Sequence, residues 1–172
     1  MRKIQLPLTE DVIKSLKAGE HVLLSGKIIT SRDAGHKRMI GLINSGKPLP
    51  FDLKTATIYY AGPCPKKPTN VIGSIGPTTS YRVDDYTPPL LDLGLKGMIG
   101  KGNRTKPVVD SIIKNKCIYF SAIGGAGALY SKCVKECKIL GFEDLLSEAL
   151  HQLTIEDFPV ICAIDSNGDT IF

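Results

Sequence analysis

The chain has 172 residues, 42% of them hydrophobic, with a formal net charge of +5 and a mean hydropathy of +0.03. That size accommodates one ordinary domain with a substantial core, and no apolar run approaches the ~20 residues that a helical membrane span requires. The 22 basic residues are scattered, aromatics make up 6% and Trp is absent, which excludes the basic, aromatic-studded stripe of a nucleic-acid-binding surface and leaves room for a few cations converging on a small anion.

The opening stretch, MRKIQLPLTED, has two basic residues but neither a long apolar segment nor a small-residue cleavage site. No secretory signal is expected there, and the expected compartment is the cytoplasm. Thr9 before Glu10 and Asp11 reads as a helix N-cap, Val12, Ile13 and Leu16 as the apolar face, and Gly19 as the stop. A strand is expected over His21–Thr30. The segment from Ser31 to Arg38 reads as a loop, with Asp33 as a cap, leading into a helix at Met39–Ile43. Thr57–Ala61 is a short β-branched and aromatic strand that enters the turn-rich Gly62–Pro68. Val71–Ile75 reads as another strand. A helix is expected from the mid-80s to Leu93, with Pro88 and Pro89 tolerable only in its first turn.

Further along, Met98–Gly100 reads as a strand, Lys101–Arg104 as a loop and Pro107–Lys114 as a helix. Cys117–Ile123 follows as a strand, Gly124–Gly127 as a turn and Ala128–Cys137 as a helix. Phe158–Ile164 and Thr170–Phe172 flank an Asn167-Gly168 hairpin signal. The alternation predicts one α/β domain over residues 1–172, a layered mixed sheet with flanking helices. Its β-rich first part and βαβ second part would meet near residues 62–70. Five cysteines argue against a disulfide framework. Cys133 and Cys137 share a helical stripe with Ala126, Leu129, Tyr130 and Val134, so buried packing explains them better than a zinc site.

Three loops share one design: a strand end, a small-residue turn carrying a cation, then a helix start. They are Arg32 to Lys37, Gly76 to Arg82, and Lys101 to Arg104. Singly each has an ordinary explanation: an Arg32–Asp33 surface pair, a Thr78–Thr79 helix cap, a plain turn. Together they suit a dicarboxylate, because guanidinium forks fix a carboxylate's position and plane and helix N-termini attract anions. Gly124–Gly127 lacks both phosphate-loop spacings, GxxxxGK[ST] and GxGxxG. Close backbone packing is the better reading of that turn, with a stand-alone anion- or nucleotide-binding module as the rival.

The segments SRDAGHKR (31–38), GPTTSYRVD (76–84), GKGNR (100–104), IGGA (123–126) and IEDFP (155–159) occur in an order and spacing that resemble the class I, iron–sulfur fumarases. The match is to their C-terminal domain or to the separate β subunit of fumarase and L-tartrate dehydratase, from about residue 4 to the last. The resemblance implies a swivelling β/β/α fold and reversible hydration of fumarate to L-malate, with tartrate dehydration to oxaloacetate as the alternative. It implies a [4Fe–4S] cluster on cysteines of a partner α subunit, none bound by this chain alone, and a heterotetramer of two α and two β chains. Homodimerisation of the isolated chain is left open. By motif match Arg32, Arg82 and Lys101, with Thr79, would hold the substrate, and Thr78 would be the candidate base. A threonine hydroxyl is a poor base unless neighbouring cations favour its alkoxide, so His36 stands as the rival base, substrate ligand or helix cap. Ser80-Tyr81 and Val83 depart from the common family pattern without removing a charged or hydroxyl group.

Overall fold

His21–Thr30, β2, is the seam of the fold. Its pattern leaves Val22, Leu24 and Ile28 fully buried, and the computed structural model, which describes residues 1–172, gives it partners on both edges. One edge pairs in parallel, first with β1 (Arg2–Gln5) and then with β3 (Thr57–Tyr59). The other edge pairs antiparallel with β7 (Leu150–Ile164), from His21 against Ile161 to Thr30 against His151. From β3 the parallel sheet continues through β4 (Gly97–Gly100) to β5 (Ile118–Ser121). β5 then meets β7 antiparallel, so β2, β3, β4, β5 and β7 close on themselves in a barrel-like ring. β6 (Val134–Gly141) extends the sheet beyond β7.

Alternate residues of the short central strands face opposite ways, as the two-residue strand period requires. Tyr59, Ile99 and Phe120 join one apolar cluster with Ile13 and Leu16, from α1 (Glu10–Ser15) and its C-cap, and Tyr130 of α5 (Gly127–Lys132). Ile58, Met98 and Tyr119 join a second. That one includes Met39 of α2 (Asp33–Asn44), Leu90 and Leu91 of α3 (Thr87–Asp92) and Ile112 of α4 (Lys106–Asn115). Burying a side chain of this kind contributes about 1.5–3 kcal/mol, so two such clusters account for most of what holds the helices to the sheet.

The mixed α/β class and many elements match the sequence reading. Thr9 Oγ1 caps α1 through the Val12 amide, β2 spans His21–Thr30, and Pro88 and Pro89 lie in the first turn of α3. Several expectations need correction. α2 begins at Asp33 with Arg32 as its N-cap, so Asp33 is a first-turn acid rather than the cap. Val71–Ile75 is no strand: both edges of β3 are already taken by β2 and β4, and the segment folds back on the Cys64 amide instead. α5 ends at Lys132, so Cys133 and Cys137 share no helical stripe. Residues 134–141 form β6 because β7 offers a long open edge, and pairing with a neighbour outweighs local helical preference; Cys137 is exposed there. The two parts expected to meet near residues 62–70 are one sheet, since β2 pairs with β7. The Asn167-Gly168 turn forms, with Gly168 at φ +87°, but only the single Ile164–Thr170 bridge spans it.

Candidate functional site

Four parallel strands lie side by side in the order β2, β3, β4, β5; two of the cationic loops leave from their carboxyl ends, and the third, with no strand before it, docks there. Arg32 follows β2, the Thr78 loop docks on the end of β3, Lys101 follows β4, and the Gly124 turn follows β5. Backbone bonds hold these exits together: the Ser31 amide donates to Tyr59 O at 3.0 Å and the Ala122 amide to Gly100 O at 2.8 Å.

Thr78 is fixed twice on one acceptor. Its amide reaches Tyr60 O at 2.7 Å and its Oγ1 donates to the same oxygen at 2.8 Å. Thr79 pairs with Lys101 in an isolated parallel bridge, with the Lys101 amide on Thr78 O at 3.3 Å and the Ser80 amide on Lys101 O at 3.0 Å. The Thr78–Thr79 loop and the Lys101 turn are therefore one unit. Arg32 lies beside Gly62, where an added Cβ would sit 3.1 Å from its Cδ. The Arg32 Nε is buried and has no hydrogen-bond partner, an unsatisfied donor of the kind that usually has a ligand or a reason. Arg82 and Lys101 are exposed, and neither belongs to any of the chain's six ion pairs.

The turn after β5 closes one side. Gly127 backs onto the Ser74–Gly76 loop so tightly that a Cβ there would collide with Ser74 Oγ and lie 2.7 Å from the Gly76 amide nitrogen. The Ile75 amide donates to Gly127 O at 3.1 Å. Tyr130 anchors the turn, accepting from the Ile123 amide and donating to Pro159 O, both at 2.9 Å. Close packing is confined to Gly127, and its partner is the loop before Thr78; a Cβ at Gly125 would have open space, and one at Gly124 would meet only the Lys101 side chain, at 3.5 Å.

His36 is only 1% exposed. Its Nδ1 lies 3.0 Å from Arg32 O and 2.8 Å from Ser31 Oγ. A carbonyl can only accept, so Nδ1 carries the proton and Nε2 is the bare nitrogen. Burial pushes its pKa down to about 4; the Arg32 carbonyl opposes that shift and the Arg104 charge adds to it. The imidazole is neutral at physiological pH and a weak base. The unfolded chain binds the extra proton between about pH 6.5 and 4 while the folded chain does not, so this residue's contribution to stability is lost as pH falls through that window. Between pH 7 and pH 4 the loss should be about 3 kcal/mol, at 1.36 kcal/mol per pKa unit. Urea unfolding of wild type and His36→Gln at both pH values tests this: the wild type should lose the larger share of its stability, and equal losses would mean that His36 titrates normally.

Beneath the loops is a buried ionic network absent from the list of site residues drawn from sequence. Arg104 Nε donates to Asp84 Oδ1 at 2.7 Å, with the two side chains 0% and 2% exposed. Asp84 Oδ2 accepts from the Thr105 amide at 2.7 Å. The Arg104 guanidinium lies 5.1 Å from the Tyr60 ring centroid and 4.7 Å from that of Tyr119. Burial works against its charge, but Tyr60, Asp84 and Tyr119 together raise its pKa above the ordinary arginine value. A basic residue in GKGNR was visible in the sequence; its burial against Asp84 was not.

Two sizeable cavities lie elsewhere. One of about 670 Å³ runs from Gln5 to Thr154, one of about 690 Å³ lies beside Lys96 and Lys116, and neither is lined by Thr78, Arg82 or Lys101. No three His, Cys, Asp or Glu side chains are grouped to hold a metal. Cys117 and Cys162 are buried in the two cores, Cys133 is half-buried, and Cys64 and Cys137 are exposed.

The family described as Fumarase C-terminus has a sequence model that matches residues 1–172. The chain belongs to that family. It is 39% identical over 171 residues to a putative L(+)-tartrate dehydratase subunit beta of Methanocaldococcus jannaschii, covering 96% of this chain and 88% of that protein. It is 36% identical to fumarate hydratase 2 of Leishmania major, over 90% of this chain and 28% of that one. It is 37% identical to the anaerobic class I fumarate hydratase of Escherichia coli (strain K12), over 87% and 28%. This Fumarase C-terminus chain therefore spans most of the tartrate dehydratase subunit and under a third of either fumarate hydratase. The family agrees with the resemblance read from SRDAGHKR and GPTTSYRVD. Within this member of the Fumarase C-terminus family, Arg32 and Lys101 follow the ends of β2 and β4, the Thr78–Thr79 loop docks between them on the residue after β3, and Arg82 lies four residues beyond Thr78 on the 3₁₀ segment Ser80–Tyr86.

Proposed function

We propose that this chain is the β subunit of an iron–sulfur hydro-lyase that reversibly hydrates fumarate to L-malate, and that it supplies one wall of a site completed by an α subunit. The observation that carries the reading is the convergence of Arg32, Lys101, Thr78 and Thr79 on neighbouring parallel strand ends, with the Arg32 Nε buried and unpaired. Arg32, Arg82 and Lys101 bind the two carboxylates, and Thr79 holds the Lys101 turn in register. Thr78 faces the carbon that exchanges a proton. Its own hydroxyl proton rests on Tyr60 O, so it acts as base only when that proton is lost and a cation stabilises the oxygen left behind. His36, neutral and fixed through Nδ1, orients the Arg32 backbone and keeps Nε2 as an acceptor.

The swivelling β/β/α fold belongs to the same reading, as does an assembly of two α and two β chains. This chain's cysteines do not fit a cluster: two are buried in separate cores and no three ligands are grouped. The [4Fe–4S] cluster is accordingly assigned to the α subunit. No helix is long and apolar enough to cross a membrane, and a cytoplasmic enzyme is part of the proposal. Tyr81, Ile123 and Leu146 are 60%, 59% and 79% exposed, and their burial by the α subunit is part of the proposal.

Tartrate dehydration is the second reading, favoured by the coverage of the M. jannaschii subunit. Co-expression with a cysteine-bearing α subunit, anaerobic purification and turnover on fumarate, L-malate and L-tartrate decides between them. The proposal expects activity on fumarate and L-malate that is lost in air; turnover of L-tartrate alone selects the second reading, and turnover of none ends both. A nucleotide-binding module built on Gly124–Gly127 would show heat with nucleotides in calorimetry of the isolated chain. None is expected, because the turn lacks both phosphate-loop spacings and its last glycine, Gly127, is already packed on the Ser74–Gly76 loop.

A further inference from the structure

We infer that Arg104 is the positioning residue of this half-site: its buried guanidinium joins the elements that carry Thr78, His36, Arg82 and Lys101 and sets their relative placement. The inference rests on the proposed function for its meaning and on separate geometry for its content.

Arg104 touches no open surface, so it is not a substrate ligand. Each of its partners leads to a different part of the site. The guanidinium lies over the Tyr60 ring; the Tyr60 carbonyl oxygen takes both the amide and the hydroxyl of Thr78, and its ring meets His36 edge-on at 5.4 Å. Tyr119 flanks the guanidinium as well. Its hydroxyl donates to Gly102 O at 2.7 Å and lies 2.7 Å from Ser80 Oγ, which grips the Lys101 turn and the residue after Thr79 together. Asp84, on Nε, lies two residues beyond Arg82 on the same 3₁₀ segment. Thr87, on Nη2 at 3.1 Å, begins α3. A planar group with fixed donors meets these four partners, and the Met98 Sδ at 3.6 Å from Nη1, at once. A lysine keeps the charge but has neither the plane nor the fork.

Fold stabilisation alone would need only the ion pair. A positioning role predicts damage when the charge is kept and the geometry is lost, since displacements near 1 Å at a reacting centre can cost about 10²-fold. The test is Arg104→Lys in the co-purified α–β enzyme, with Arg104→Met/Asp84→Asn as a second variant that removes both charges and strands neither. For each, kcat and KM are measured with the melting temperature, and the amide signals of Thr78 and Lys101 and the ring signals of His36 are followed by NMR on the labelled chain. The expected result for Arg104→Lys is a kcat lower by roughly 10- to 100-fold with KM nearly unchanged, and displaced Thr78, Lys101 and His36 signals in a chain that still melts cooperatively. An unchanged kcat overturns the inference. So does a raised KM at full kcat, which would mark a binding role, or signal changes confined to Asp84 and Thr87. If the wild-type pair hydrates no dicarboxylate, the proposed function fails, and the NMR result on the chain still decides the role of Arg104.

Discussion

Replacing Asp84 with alanine is expected to destabilise the chain by about 3–5 kcal/mol, the cost of stranding a buried charge. The carboxylate is 2% exposed and accepts from Arg104 Nε and the Thr105 amide, each at 2.7 Å. Without it the Arg104 guanidinium stays fully buried beside the Tyr60 and Tyr119 rings, out of reach of a replacement partner from water. Thr105, the N-cap of α4, makes no side-chain cap of its own, so the same substitution leaves its amide open. Urea unfolding should show a lower midpoint with an unchanged slope. Adding Arg104→Met to Asp84→Ala should restore part of the loss, since the stranded charge goes with it. A loss below about 1 kcal/mol would place the pair among surface-like ion pairs, whose median worth is that small.

Arg82→Ala should have the opposite profile. The side chain is exposed and belongs to no ion pair, so its removal should leave the melting temperature within a degree or two, as surface changes away from a structural feature do. In the α–β enzyme, kcat/KM for the dicarboxylate should fall about 10²–10³-fold, the equivalent of a lost two-pronged charged contact worth about 3–4 kcal/mol. Arg82→Lys should recover only part of this, because an ammonium supplies charge without the fork. A drop of less than threefold in steady-state assays would remove Arg82 from the substrate ligands.

The two variants separate what could be read in the sequence from what could not. Arg82 belongs to a contiguous string, GPTTSYR, and sits exposed on the short 3₁₀ segment that begins at Ser80. Thr9, β2 and the proline start of α3 were equally legible because their signals are local: a hydroxyl before two acids, an alternating apolar run, a ring that fixes φ. Asp84 and Arg104 are 20 residues apart, and each looks like an ordinary surface charge until the chain is folded. Charge burial depends on which strand ends become neighbours, and no local periodicity encodes that. The same reason explains β6. Val134–Cys137 reads as the end of a helix until the open edge of β7 is available to it, and only then does the strand Val134–Gly141 become the better partner. Val71–Ile75 failed the other way, a strand-like sequence with no edge left to join.

The closure of β2 on β7 has a consequence for how the site comes into being. Residues 21–30 pair with residues 151–161, so the ring is sealed by contacts more than a hundred positions apart. Such contacts must meet the entropy of closing a very long loop before they repay it, and chains dominated by them fold in milliseconds to seconds rather than microseconds. The strand ends that carry Arg32 and the Thr78 loop are synthesised early, but their final spacing is set only when β7 is in place. Until then the nascent chain exposes parallel edges prone to mispairing, and the ring that frames the proposed site stays open.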